Sequence, residues 1–419
     1  MEVTAHLGIR YARHVERFAP AEPVEGGPTT VELTDVPIFP QLPGRLDAAM
    51  GPALQRNPRS EDAYFLNVWA PEGAAGVPVL VFIHGGAWTT GGGSACWYDG
   101  STLADRGLVV VTMNYRIGPL AHLAPDEDTD PTPLAIGDLL HALRWVRDNV
   151  AAFGGDPDRV TLAGQSTGGW YAHVLNLLPE AAGLFDRVAL WSMATRQPWT
   201  RDRLAAFSAR TAERVGGDLR SADIDALLAA GAATLREQTV PFGTPGSAYL
   251  PTQSPALPAT LYDPAGAAAR MHADHLWVRW TAAETAAFLF AGPERDITAE
   301  QWAGLLAEIP AAERSPRLAE AGSDPYAALV AQTSWQLFER FPTELAEAAR
   351  AAGRSVLITH FDTASDLAGF GSGHTLDLPY QFGNPAQWPD SPMLVGEDPA
   401  RFAQVSERLI ADTLRFTGL

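Results

Sequence analysis

The stretch RVTLAGQSTGGWYAHVLNLL, residues 159–178, decides the fold of this chain. Its first six residues have the composition of a buried strand, and the residues after Ser166 have the apolar spacing of a helix. Between them, residues 164–168 fit the pattern Gly-x-Ser-x-Gly. Glycines on both sides let strand and helix pack closely around a tight turn, which strains the serine backbone and presents its hydroxyl. The pattern predicts that Ser166 is a nucleophile.

A second motif, His-Gly-Gly-Ala-Trp at residues 84–88, directly follows the apolar run VLVFI. The tetrahedral intermediate of acyl transfer needs N–H donors close to its oxyanion, and glycines let the bare backbone approach that closely. A loop of this type after an early strand commonly accompanies Gly-x-Ser-x-Gly. Together the two motifs predict acyl-transfer chemistry, with an oxyanion site next to the nucleophile.

The best candidate for a general base is His374, one of ten histidines. It lies in the glycine-rich segment GFGSGHTLDLPYQFG, residues 369–383, after the strand-like run RSVLITHF. A loop in that position reaches over the carboxyl edge of a parallel sheet, where such sheets carry their sites. Of the other histidines, His360 could lie in the core, and His122 is undecided, with a structural role favoured.

The residues alone leave open which acid orients this histidine. Glu284, in WTAAETAAFLF, follows the strand-like run HLWVRWTA, and it satisfies the order serine, acid, histidine. Asp362 and Asp366 lie shortly before His374 and compete with Glu284 for this role.

Composition limits the chemistry further. All thirty basic residues are arginine, and the absence of lysine excludes a phosphate-loop lysine, a Schiff base and a pyridoxal-phosphate enzyme. The single cysteine, Cys96, permits no intramolecular disulfide and no cysteine-based zinc site, and we interpret it as a bystander. We therefore expect no metal and no organic cofactor.

The net charge of −19 opposes binding to nucleic acid and to anionic membranes. No apolar run approaches the ~18 residues that span a bilayer. The first residues also lack the apolar segment of a secretory signal. We expect a cytoplasmic protein with a small-molecule substrate and with no nucleic-acid or membrane partner; the sequence does not predict its oligomeric state.

The order of elements predicts an α/β architecture with a mainly parallel central sheet flanked by helices. Strand-like and helical segments alternate up to about residue 199, and helical segments dominate from 200 to 345. We predict three parts: a first part of the core at residues 1–199, a mostly helical insertion with the acid-bearing strand at 200–345, and the rest of the core with the histidine loop at 346–419.

Several blocks of the chain resemble the type-B carboxylesterase family, which includes the cholinesterases and bacterial p-nitrobenzyl esterases. The blocks follow one another in the family's order over nearly the whole chain. They are LGIRYAR, SEDAYFLNVWAP, HGGAWTTGGG, VVVTMNYRIGPL, ALRWVRDNVAAFGGDPDRVTLAGQSTGG and GHTLDLPYQFGN. The resemblance implies the α/β-hydrolase fold, here with a reduced helical cap and a more open gorge, because the chain is shorter than typical members.

The resemblance also assigns roles. It makes Ser166 the nucleophile, His374 the base and Glu284 the acid of a serine carboxylesterase. The oxyanion donors it implies are the backbone N–H groups of Gly86, Ala87 and Thr167.

Three residues depart from the family's pattern. Gln165 stands where the family has Glu, and Thr167 where it has Ala. Losing a carboxylate beside the nucleophile removes attraction for cations, so we expect no preference for choline-like esters. Thr285 stands where a glycine usually follows the acid, so the sequence does not predict the backbone conformation there.

Aromatic residues near the motifs suggest a pocket for a small to medium, neutral, hydrophobic or aromatic ester. The predicted pocket residues are Trp88, Trp97, Trp170 and Phe288. Two alternatives remain from the sequence. One is a biosynthetic cyclase, transacylase or lyase that uses the same serine scaffold on one dedicated metabolite. The other is a catalytically silent binding member of the family.

Overall fold

Eight strands form one central sheet in the computed structural model, which describes residues 1–26, 35–126, 133–255, 257 and 261–419. Their order across the sheet is β1-β2-β4-β3-β5-β6-β7-β8. β1 and β2 are antiparallel, as are β2 and β4, and the remaining pairs are parallel. This confirms the mainly parallel sheet. The strands are β1 Val3–Arg10, β2 Phe65–Pro71, β3 Val77–Ile83, β4 Val109–Met113, β5 Gly155–Gln165, β6 Arg187–Trp191, β7 His275–Thr281 and β8 Ser355–Phe361.

Helices cover the sheet and fill the region between β6 and β8. A π-helical turn, Trp335–Glu339, joins α11 to α12. A short ladder near the N-terminus pairs Ala12–Arg13 with Glu22–Pro23. The helices are α1 Asp47–Met50, α2 Ser101–Asp105, α3 Pro119–His122, α4 Leu134–Asn149, α5 Thr167–Leu175, α6 Arg201–Val215, α7 Ile224–Arg236, α8 Pro264–Arg270, α9 Ala286–Leu289, α10 Ala299–Glu308, α11 Pro325–Ser334, α12 Arg340–Ala351, α13 Asp377–Phe382 and α14 Pro399–Thr417.

Both faces of the sheet are buried, which explains why its central strands are continuous apolar runs. On β3, alternate residues enter different core clusters: Val79 and Val81 pack on the side of α4 and α5, and Leu80 and Phe82 on the side of α14. Within the described residues, no helix is both long enough and apolar enough to cross a membrane.

The sheet gathers four loops at one edge. Ile83 at the end of β3 pairs with Gly164 near the end of β5, and Thr281 at the end of β7 pairs with Phe361 at the end of β8. Because these strands are parallel, the loops that follow them emerge at the same carboxyl edge. Those loops carry the motifs from the sequence. The three-part division at residues 199 and 345 stays a prediction.

Candidate active site

Ser166 occupies a sharp turn between β5 and α5, with φ 58° and ψ −120°. This positive φ is strained for a residue other than glycine. A side chain on Gly164 would overlap the carbonyl oxygen of Gly168, and one on Gly168 would overlap that of Ile83. The amide of Ser166 donates to the carbonyl of Trp191 at the end of β6 (2.9 Å), which ties the turn to the neighbouring strand. The glycines therefore permit the packing that holds the strained serine.

His374 and Glu284 form a buried pair. The Nδ1 of His374 lies 2.5 Å from Oε2 of Glu284, and neither residue is exposed. The other carboxylate oxygen accepts the amide of Thr281 at the end of β7 (2.7 Å), and the carbonyl of Glu284 accepts the amide of His374 (3.1 Å). Since an ionised carboxylate only accepts, the short contact requires a proton on Nδ1. Nε2 is then the unprotonated ring nitrogen, which can accept a hydrogen bond.

The backbone after Glu284 does not need the glycine that the family usually has there. Thr285 has helical angles, with φ −74° and ψ −12°. Its amide donates to the hydroxyl of Ser334 (3.0 Å), and its own hydroxyl lies 2.6 Å from that of Thr333. The threonine thus anchors the turn to α11.

The two other carboxylates that the sequence offered as the orienting acid lie away from His374. Asp362 and Asp366 are exposed, and within the described residues neither contacts His374. The carboxylate that the structure brings to the imidazole is that of Glu284.

Two aromatic rings enclose the imidazole of His374. The ring centres of Phe288 and Phe338 lie 5.3 Å and 4.8 Å from that of His374. Phe338 belongs to the π-helical turn, and within that turn the carbonyl of Leu337 accepts the amide of Thr195 (2.7 Å). Sequence reasoning did not find Phe338, because a π-turn inside a helical pattern leaves no clear periodic signal.

Gln165 contacts the second ring nitrogen of His374. Its side-chain Nε2 lies 3.2 Å from Nε2 of His374. Because the proton of the imidazole is on Nδ1, the amide of Gln165 is the donor in this contact. Within the described residues, no hydrogen bond joins Ser166 to His374, although both line the same cavity. Sequence reasoning noted Gln165 as a departure from the family but not this contact.

The loop after β3 holds a run of unusual backbone angles. Gly86, Ala87 and Trp88 have φ of 127°, 53° and 58°. The loop is fixed by hydrogen bonds to its carbonyls, such as that from the amide of Gly118 to Trp88 (2.7 Å). Among the described residues, no protein acceptor takes the N–H of Gly86, Ala87 or Thr167. These three are the donors named from the sequence.

Burial lowers the pKa values of three other histidines, His84, His122 and His173. Burial lowers the pKa of His84 to about 4, and its ring stacks on that of Tyr115 at 4.3 Å. Burial lowers the pKa of His122 to about 3. His360 is exposed at the end of β8 rather than in the core, because β8 is an edge strand whose last residues reach the surface.

Two cavities meet at Ser166. The first encloses about 750 Å³, including space open to solvent, and it is lined by His374, Trp97 and Phe288 among other residues. The second has a volume of about 430 Å³, again including space open to solvent, and it is lined by Trp88 and again by Phe288. Three of the four predicted pocket residues therefore lie at a cavity.

Trp170 is the fourth, and it lines neither cavity. It is fully buried behind Trp88, with ring centres 5.7 Å apart, and its indole N–H donates to the hydroxyl of Tyr262 (2.6 Å). Its position on α5 directs its side chain into the core. In the described part of the chain, no group of three His, Cys, Asp or Glu residues could hold a metal ion.

Comparisons with known proteins agree with this architecture. The model of the carboxylesterase family matches residues 1–242. The para-nitrobenzyl esterase of Bacillus subtilis (strain 168) is 39% identical over 216 residues, which cover 50% of this chain and 44% of that protein. The probable N-octanoylanthranilate hydrolase AqdA2 of Rhodococcus erythropolis is 31% identical over 426 residues, covering 100% of this chain and 88% of that protein.

Solved structures give the same result over nearly the full length. A PNB esterase structure has a TM-score of 0.80 at 28% identity, covering 99% of this chain and 87% of that chain. The carboxylesterase EST55 of Geobacillus stearothermophilus has a TM-score of 0.79 at 27% identity, covering 100% and 88%. The protein is an ester hydrolase of the α/β-hydrolase fold. It belongs to the carboxylesterase family.

Proposed function

We propose that this protein hydrolyses carboxylic esters through an acyl-enzyme on Ser166, with His374 as the general base and Glu284 as the acid that orients it. The observation that carries the proposal is the 2.5 Å contact between Glu284 and Nδ1 of His374. This contact selects the tautomer whose Nε2 can accept a proton. The strained turn at Ser166 and its position where two cavities meet support its assignment as the nucleophile.

In the first half of the reaction, Nε2 of His374 takes the proton of the Ser166 hydroxyl as its oxygen attacks the ester carbonyl. For this step Nε2 must exchange its contact with the amide of Gln165 for one with the serine hydroxyl. The C–O bond to the alcohol then breaks, and the imidazolium gives its proton to the leaving oxygen. Glu284 stabilises the positive charge while it lasts.

In the second half, His374 removes a proton from water, and the resulting hydroxide attacks the acyl group on Ser166. The acid leaves, and the serine recovers its proton. In both halves the N–H groups of Gly86, Ala87 and Thr167 stabilise the negative oxygen. Their lack of protein acceptors among the described residues supports this role, because donors already oriented cost no reorganisation during the reaction.

The lining of the first cavity supports an ester with a hydrophobic or aromatic group. Its apolar side chains include Leu46, Met50, Trp97 and Phe288. The names of relatives point the same way: one is a para-nitrobenzyl esterase and another a phenmedipham hydrolase. Gln165, a neutral residue beside the nucleophile, offers no attraction to a quaternary ammonium, so we propose no preference for choline-like esters.

The test is release of p-nitrophenol from a short-chain ester by the wild type and by Ser166→Ala. We expect the substitution to reduce kcat by at least about 10³-fold, because nucleophile and base act as a unit. Ser101→Ala, which alters a partly exposed serine at the start of α2, serves as the matched control and should keep its activity. Activity that survives in Ser166→Ala would contradict the proposal. So would folded wild-type protein without turnover, an outcome that would favour a silent or dedicated biosynthetic member.

A further inference from the structure

The second cavity beside Ser166 has an unexpected lining. Apolar side chains such as Trp88, Leu337 and Phe338 form most of it, but two arginines, Arg45 and Arg196, also line it. Cationic side chains next to a nucleophile are not needed for hydrolysis of a neutral ester. Their partners therefore decide whether they are structural.

Arg196 has a fixed backbone and a free side chain. The hydroxyl of Tyr262 lies 2.9 Å from its amide and 2.8 Å from its carbonyl, and the indole of Trp170 donates to the same carbonyl at 3.3 Å. Within the described residues, all hydrogen bonds of Arg196 are made by its backbone, and its guanidinium forms none. The segment after β6 is therefore held in place while the charged group is left available.

Arg45 lines both cavities and has one neutral partner. Its guanidinium donates to the carbonyl of Ser247. A side chain on Gly246 would overlap that guanidinium, so the glycine leaves room for it. The carboxylate that lines the first cavity, Asp47, accepts instead from the amide of Gln55 at 3.2 Å. In the described ranges, no carboxylate pairs with Arg45.

Charge at this cavity is unbalanced in the free protein. Burial lowers the pKa of Arg45, and the charge of Arg196 lowers it further. Burial also lowers the pKa of Arg196, and the charge of Arg203 lowers it further, whereas Tyr262 raises it. A chain with 49 acidic residues and 30 basic ones thus leaves adjacent positive charges uncompensated at its catalytic cavity. Guanidinium groups with open donors bind carboxylates through charge-assisted hydrogen bonds.

We propose that Arg45 and Arg196 bind a carboxylate of the substrate, so that this enzyme acts on esters that carry an acidic group in addition to a hydrophobic one. The inference rests on the proposed function, hydrolysis at Ser166. It differs in charge from the neutral ester that the sequence predicted. The carboxylate belongs to either the acyl or the alcohol part of the ester, and the test separates these two cases.

The experiment compares two pairs of esters. For the acyl side, the 4-nitrophenyl monoester of adipic acid is compared with 4-nitrophenyl hexanoate. For the alcohol side, 3-acetoxybenzoate is compared with 3-methylphenyl acetate. For each pair, the measured quantity is the ratio of kcat/KM for the anionic ester to that for the neutral ester. The proteins are the wild type, Arg45→Gln, Arg196→Gln and Arg196→Lys, with Arg408→Gln, on an exposed residue of α14, as the control with the same change of charge.

We expect the ratio in one of the two pairs to fall by about tenfold or more in Arg45→Gln and in Arg196→Gln, the scale of a charge-assisted hydrogen bond. Arg196→Lys should restore part of the ratio, and Arg408→Gln should leave it unchanged. Raising the salt concentration should lower the wild-type ratio, because part of the attraction is screened. The pair that responds identifies the part of the ester that bears the carboxylate.

A wild type that hydrolyses the neutral esters, with ratios that no variant changes in either pair, overturns this inference and leaves the proposed function intact. A wild type that hydrolyses none of the four esters overturns both. If a glutamine variant does not fold, inhibition of the wild type decides instead. Benzoate should then inhibit hydrolysis of the neutral ester more strongly than benzamide, and equal inhibition by the two would contradict the proposal.

Discussion

At the residue scale, the two nitrogens of His374 have different partners, and this difference sets its chemistry. Glu284 holds Nδ1, and the amide of Gln165 occupies Nε2. The imidazole is also enclosed by two aromatic rings, so it has little freedom to rotate. Its orientation is therefore determined before any substrate binds.

Replacing Glu284 should show how strongly activity depends on the partner of Nδ1 of His374. Glu284→Gln removes the acceptor that selects the Nδ1–H tautomer, so we expect kcat to fall by about 10³- to 10⁴-fold. Asp362→Asn is the matched control, since Asp362 is exposed and was a competing candidate. The measurement is steady-state hydrolysis of a p-nitrophenyl ester. A larger loss in Asp362→Asn than in Glu284→Gln would show that the acid is misassigned.

The contact of Gln165 with Nε2 predicts a pH effect. In Gln165→Glu, a carboxylate replaces an amide 3.2 Å from Nε2 and favours the protonated ring, which cannot act as a base. We expect the acidic limb of the kcat/KM profile to move to higher pH by about one pH unit or more. Gln165→Met, without charge, should move it much less. Superimposable profiles for the wild type and Gln165→Glu would mean that the contact does not persist in solution.

At the element scale, a buried ion pair joins α4 to the segment after β4. Arg116 donates to both oxygens of Asp138, at 2.8 Å and 2.6 Å, and also to the carbonyl of Ala19 (2.5 Å). Both charged side chains are almost fully buried. The pair thus connects three segments that are distant in the sequence.

Breaking this pair should destabilise the fold. Asp138→Asn leaves the charge of Arg116 buried without its counter-ion, and we expect a loss of about 3–5 kcal/mol in the free energy of unfolding. A second pair, between Arg147 of the same helix and Asp158 of β5, is exposed (2.7 Å), so Asp158→Asn should cost about 1 kcal/mol or less. Thermal and urea unfolding of the two variants provide the comparison. Similar losses would show that burial does not determine the strength of these pairs.

At the scale of the whole molecule, buried carboxyl groups near the site make stability depend on pH. Burial raises the pKa of Glu339 to about 7, with the charge of Glu284 adding to the shift and Arg317, at 3.3 Å, opposing it. Burial also raises the pKa of Asp377, which Arg279 opposes. Both groups are close enough to Glu284 for its charge to raise their pKa values further.

For Glu339 the sign follows from linkage. Between its ordinary value of 4.5 and about 7, the folded protein holds a proton that the unfolded chain has released. Its contribution to stability therefore falls as pH rises through that window. Glu339→Gln should gain stability relative to the wild type on going from about pH 5 to about pH 8, by up to about 3 kcal/mol.

The control for that experiment is Glu344→Gln, on α12 directly after the π-helical turn, where the carboxylate is half-exposed and pairs with Arg340. Its unfolding temperature should differ from that of the wild type by the same amount at both pH values. A difference between Glu339→Gln and the wild type that does not change with pH would contradict the linkage.

Most of the sheet and the order of the motifs were predictable from the sequence, because buried parallel strands leave continuous apolar runs. The exception is β1, Val3–Arg10, an edge strand with mixed exposure whose pairing with β2 has no local signal. The turn at Ser166 was also predictable, since glycine is required wherever backbones approach so closely.

Only the tertiary structure decided which side chains share a site. From the sequence, Glu284, Asp362 and Asp366 were all acceptable acids, because distance along the chain does not fix the direction of a side chain. Arg45 and Arg196 are 151 residues apart, and neither lies in a motif, yet both line one cavity. Local sequence determines backbone periodicity and turns, whereas the contents of a cavity depend on how distant loops pack. For this reason the tight turn around Ser166 was predictable from the sequence, and the two arginines at the cavity beside it were not.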